Sequence, residues 1–173
     1  MAQRRIQGVS EGSAQGGEEM KKIGEYTCKG RVDAMDVATD TPVRILLNDG
    51  QFTTGFRIVE FQVAPSAVDN TSPQQYVGKL STAQDGSDAK TWDWDSNVEV
   101  AWAMCGFDGN ASPVPMLGNW IDEDNLVIED LYLYATEASD LPMNYIIKMD
   151  KYEFSDWRGA LAMVRNRSQS DIS

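Results

Sequence analysis

The densest run of potential ligand atoms is residues 85–97, where Asp85, Asp88, Asp93, Asp95 and Asn97 alternate with Gly86, Ser87, Trp92 and Trp94. Calcium takes about six to eight oxygens from carboxylates and carbonyls, so Asp85, Asp88, Asp93 and Asp95 form a candidate calcium loop. The run lacks the EF-hand spacing and its closing Glu, and the same residue types favour plain solvated turns, because Asp and Asn bond their own backbone. A second acidic cluster, Asp122-Glu123-Asp124-Asn125, admits the same two readings. Trp92 and Trp94 share a parity, so an extended chain would show both rings on one face. Such a pair can close the open end of a core, anchor a protein interface or stack on a sugar. Trp120, beside Gly118 and Asn119, reads as plain core.

Other chemistry is excluded by what is missing. There is no histidine, which removes Ser-His-Asp and Cys-His arrangements, His-containing zinc sites and imidazole acid–base catalysis. Glu129 and Asp130 are adjacent, and neighbours on a strand point to opposite faces, so they could not flank one glycosidic bond together. No phosphate loop, dinucleotide fingerprint or nucleophile elbow occurs. Cys28 and Cys105 are too few for a disulfide scaffold; each sits in a strand-like run and reads as a reduced core thiol, with a bridge between them as the other possibility. No enzyme is expected, and no cofactor apart from that calcium.

The elements that hold these residues follow from length and pattern. A chain of 173 residues is one domain's worth and can build a core without staples. Twenty-seven acids against fifteen Lys and Arg give a net charge of −12, which argues against nucleic-acid and anionic-membrane partners. No membrane span and no secretory leader are expected, since no apolar run approaches ~20 residues and Met1-Ala2-Gln3-Arg4-Arg5 opens without an apolar segment. Residues 1–22 are rich in Gly, Ser, Gln and Glu, with Ile6 and Val9 the only large apolar groups besides two methionines, and read as an extended arm.

From residue 25 on, strand follows strand. Residues 26–33 alternate as a half-buried strand does. Residues 43–47 end at Asn48-Asp49-Gly50, which predicts a hairpin with 52–63. Within 52–63 the apolar parity switches between Ile58 and Val59, which predicts a bulge or bend. Strands are also predicted at 76–80, at 98–105, at 144–154 and as one long run over 126–136, whose apolar groups of both parities fit burial on both faces. Ser155, Asp156 and the stripe Trp157, Ala160, Leu161, Val164 predict a short C-terminal helix. The fold class expected is therefore mainly β: an antiparallel β-sandwich over 23–154, specifically a single jelly roll, with the arm at 1–22 and the helix and tail at 155–173.

The run Leu126-Val127-Ile128-Glu129-Asp130-Leu131-Tyr132-Leu133-Tyr134-Ala135, with Asn144-Tyr145-Ile146-Ile147-Lys148-Met149, Ser155-Asp156-Trp157 and the ending Arg167-Ser168-Gln169, resembles small virion structural proteins of bacterial viruses, particularly marine ones. That resemblance implies a jelly-roll capsid or capsid-associated subunit, made in a bacterial host cytoplasm and assembled into a virion with copies of itself or other capsid proteins. It implies no catalytic residues. The acidity departs from coats that line a genome and suits an outward-facing, decorating or vertex role. The residues expected at interfaces are Ile6 and Val9 in the arm, Trp92 and Trp94, and Tyr132 and Tyr134; the arm could lie along a neighbour's sheet edge through main-chain hydrogen bonds. A calcium-assisted carbohydrate-binding module, using Trp92, Trp94 and the nearby carboxylates, is the other function class the sequence supports.

Overall fold

The structure is a computed structural model, and it describes residues 20–32, 42–47, 53–67, 74–84, 88–107, 118–137 and 142–154. Within them the chain forms nine strands: β1 (Lys21–Val32), β2 (Val43–Ile45), β3 (Thr54–Pro65), β4 (Gln74–Ser81), β5 (Glu99–Phe107), β6 (Asn119–Ile121), β7 (Leu126–Val127), β8 (Leu131–Glu137) and β9 (Met143–Glu153). They make two antiparallel sheets, one in the order β1-β9-β3-β7 and the other in the order β2-β8-β4-β5-β6. Mainly β architecture built as a two-sheet sandwich is thus what the alternating pattern foretold. The predicted helix falls in 155–173 and lies outside the described residues, as do Ile6 and Val9. Lys21 and Lys22 already belong to β1.

Between the sheets lies one apolar core. Ile58, Phe61, Val63, Ile147 and Met149 from the first sheet meet Tyr76, Leu80, Ala101, Ala103, Leu131 and Leu133 from the second. The parity switch in β3 is a true irregularity. The β3–β9 register shifts between Ile58 and Glu60, turning Val59 out to solvent so that Phe56 and Ile58 before it, and Phe61 and Val63 after it, all face inward. At Gly78 the sheets approach so closely that an added Cβ would lie 2.8 Å from Val63 Cγ1 and 2.9 Å from Phe61 Cζ.

Two expectations are corrected. Strand β2 pairs with β8 (Val43↔Leu133 through Ile45↔Leu131), whereas β3 lies in the other sheet, so 43–47 and 52–63 form no hairpin. The turn residues after Leu47 were legible; which sheet receives the chain was not, because an apolar run does not name its partner strand. Likewise 126–136 is not one strand. Its first piece, β7, pairs with β3, and after Ile128-Glu129-Asp130 the chain continues in the opposite sheet as β8. Apolar residues of both parities arose because two strands of different sheets follow one another. Asp130 fixes the corner, since its buried carboxylate accepts from Leu47 N at 3.0 Å and from Arg44 Nε at 2.7 Å.

Candidate functional site

The outer face of the five-stranded sheet carries an arrangement that no single segment announces. Register places Tyr134 opposite Lys79, Lys79 opposite Trp102, and Trp102 opposite Trp120, one row across β8, β4, β5 and β6. Lys79, Trp102 and Tyr134 are buried, yet none belongs to the core between the sheets, whose members Leu80, Ala101, Ala103, Leu133 and Ala135 alternate with them. Residues 88–98 fold over this row as a roof.

A buried ion pair ties the roof down. Lys79, 0% exposed, donates to Glu99 Oε1 at 2.8 Å and to the Thr91 carbonyl at 3.1 Å, with the Tyr134 ring 5.3 Å from its Nζ. The other Glu99 oxygen accepts from Asp93 N at 3.0 Å and from Trp102 Nε1 at 2.7 Å. Three donors from two strands and a loop therefore converge on one carboxylate, which offsets the cost of taking both charges out of water. Short local bonds complete the roof: Asp88 Oδ1 accepts from Lys90 N, Asp93 Oδ1 from Asp95 N, and Trp92 Nε1 donates to Ala89 O.

Four tryptophans gather on this scaffold. Trp92 meets Trp120 edge-on at 5.4 Å between centroids, while Trp94 lies 5.6 Å from Trp120 and 6.1 Å from Trp102. Trp92 and Trp120 are half-buried, whereas Trp94 remains 61% exposed. The rings touch one another in tilted and edge contacts, the geometry aromatic quadrupoles favour, and Trp94 presents its free side outward. The two acidic stretches come together here as well, since Asn125 Nδ2 donates to Asn97 O at 3.5 Å and Asp122-Glu123-Asp124 leads directly out of β6. Asp93, Asp95, Glu123 and Asp124, on the segments that carry or adjoin these rings, are exposed, as is Lys90.

The predicted calcium loop resolves as follows. Asp85 lies outside the described residues; the Asp88 and Asp93 carboxylates cap turns of their own loop. Among the described residues no three His, Cys, Asp or Glu side chains come together as a metal site. Trp120, expected as plain core, is half-buried and holds Trp92 and Trp94. Of the expected interface tyrosines, Tyr132 is half-buried and Tyr134, 2% exposed, is enclosed by its own subunit beside Lys79. Glu129 is exposed, whereas Asp130 is buried and paired with Arg44.

Both cysteines carry free thiols. Burial pushes the Cys28 thiol above its ordinary range, opposed by its hydrogen bond with Tyr145, and burial alone pushes Cys105 up. The Lys79–Glu99 pair was missed by sequence reasoning. Its trace was present: a lysine inside the apolar run Tyr76-Val77-Gly78-Lys79-Leu80, and a glutamate between Val98 and Val100.

Compared with protein-family models, curated proteins and solved structures, the chain matches none of them. Among the described residues no helix is long and apolar enough to cross a membrane.

Proposed function

We propose that this chain is a virion structural protein, a capsid or capsid-associated subunit whose fold is a single jelly roll. The observation that carries the reading is the strand order. In the first sheet the opening strand β1 pairs with the closing strand β9; in the second, β2 pairs with β8. Outer strands of the sequence thus pair with each other at one side of each sheet, while β3 and β7 complete the first sheet and β4, β5 and β6 the second. A folded ribbon of strands wrapped about a core produces this order, and jelly rolls are recurrent building blocks of viral shells.

Three features support assembly rather than catalysis as its work. Among the described residues the buried Lys, Glu and Asp side chains, Lys79, Glu99 and Asp130, are spent on holding a loop and a corner. Trp94 presents a large ring to solvent on a rigid support, the kind of residue that dominates interface energetics. The net charge of −12 keeps free subunits soluble before they associate and favours an outward-facing position over a genome-lining one. The partners in this reading are other copies of the chain and other capsid proteins, and the location is the virion after synthesis in a bacterial host. Exposed Trp94 also favours a second reading, a carbohydrate-stacking module.

Size-exclusion chromatography with light scattering separates the two. The full chain is expected to run heavier than 19.2 kDa, with the mass falling when residues 2–19 are deleted. A monomer in both forms that binds glycans saturably, and loses them to a chelator, would replace the assembly reading with the calcium-assisted carbohydrate one.

A further inference from the structure

Open strand edges invite pairing with another chain, and among the described residues three of the four sheet edges are short: β2 and β6 have three residues each and β7 has two. The fourth, β1, runs twelve residues, and its first seven are all exposed. It is also a basic strip on an acidic protein. Lys21, Lys22, Lys29 and Arg31 stand against the single acid Glu25, in a chain whose net charge is −12. Lys22 is committed to Asp150 at 2.7 Å and to Glu25 at 3.1 Å, while Lys21 and Lys29 project from the strand with no ion pair among the described residues. Between these cations Ile23 and Tyr26 are 45% and 46% exposed.

The opposite flank of the sandwich carries the complementary surface. Strand β6 closes against β3, Asn119 Nδ2 donating to Phe61 O at 2.8 Å, and β9 separates β3 from β1. On that far flank Trp94 stands exposed between its chain neighbours Asp93 and Asp95, and its ring lies 5.6 Å from that of Trp120 in β6, the strand that leads into the exposed Glu123 and Asp124.

We propose that the Trp94 face of one copy docks on the β1 edge of a second copy, pairing these carboxylates with Lys21, Lys29 and Arg31 and covering Trp94 with Ile23 and Tyr26. The inference rests on the assembly reading and gives it a specific contact. Charge selects the occupant. A second β1 would set cation against cation, and residues 1–19, with three glutamates against two arginines, are close to neutral. Because the two surfaces lie on opposite flanks, the contact is heterologous. Copies joined this way continue head to tail and close into a ring where the rotation permits.

A charge-exchange experiment on the full chain tests this. One variant carries Lys21→Glu and Lys29→Glu, the other Asp95→Lys and Glu123→Lys; all four residues are exposed, and Asp95 bonds its loop through its backbone N, which the substitution keeps. Light scattering is expected to show each variant alone associating about 100-fold more weakly than the unaltered chain, since like charges now face each other. An equimolar mixture is expected to recover association, because each reversed surface then meets its complement. Variants that associate as the unaltered chain does, or a mixture that stays as weak as its components, would overturn the contact and leave the assembly reading standing. Association lost on deleting residues 2–19 yet indifferent to both reversals would assign the edge to the arm and overturn the contact too. An unaltered chain that stays monomeric would remove both.

Discussion

Replacing Glu99 by alanine is the sharpest test of how the tryptophan roof is held. The substitution removes the acceptor for Lys79 Nζ at 2.8 Å, Asp93 N at 3.0 Å and Trp102 Nε1 at 2.7 Å. It leaves a lysine ammonium with no solvent exposure deprived of its counter-charge. Breaking a buried pair from one side costs about 3–5 kcal/mol, because the remaining charge stays out of water. For a domain of this size each kcal/mol moves the Tm by roughly 2–4 °C, so the expected loss is about 6–20 °C. Removing both charges, with Lys79→Met and Glu99→Leu together, leaves two N–H groups without their acceptor but no buried charge, and is expected to cost only about 1–3 kcal/mol. Urea unfolding followed by tryptophan fluorescence measures all three proteins, with Trp94 and Trp102 reporting on the roof directly. Should Glu99→Ala cost under about 1 kcal/mol, or the double variant cost as much as the single, the buried-pair argument fails.

Other substitutions probe the fold at single contacts. Gly78→Ala places a methyl against Val63 and Phe61 and is expected to lower stability by about 1–3 kcal/mol in chemical denaturation; an unchanged midpoint would mean the sheets are not so close. Asp130→Ala strips the acceptor from Leu47 N and the partner from Arg44, so a loss of about 1.5–3 kcal/mol is expected by the same method, and none would contradict the corner assignment. The raised thiols make a pH prediction. Burial favours neutral Cys28 and Cys105, so their contribution to stability is complete below the unfolded thiol's pKa and is lost as pH rises through the higher folded value. At pH 8 iodoacetamide should therefore alkylate the folded protein more slowly than the urea-unfolded one, and equal rates would refute the burial.

How far the sequence could be read depended on how local each cause was. The bulge in β3 was legible because Ile58 and Val59 break parity within one strand, and burial forces that break to be absorbed there. Alternation in 76–80, 98–105 and 144–154 marked β4, β5 and β9 for the same reason. The division of 126–136 was hidden, since two short strands of different sheets, joined at Asp130, leave the same apolar composition as one strand buried on both faces. Strand β6 escaped notice because three residues hold too little pattern. At the candidate site Trp92, Trp94 and both acidic stretches were visible, but their meeting was not. It depends on register between β4, β5 and β6 and on a Lys79–Glu99 pair twenty residues apart in sequence.

Sedimentation velocity on the full chain over a wide concentration range puts the assembly claim to its most direct test. Species heavier than 19.2 kDa, growing with concentration and receding as salt screens the β1 and Trp94 surfaces, are the predicted result. A single 19.2 kDa boundary at every concentration would contradict it.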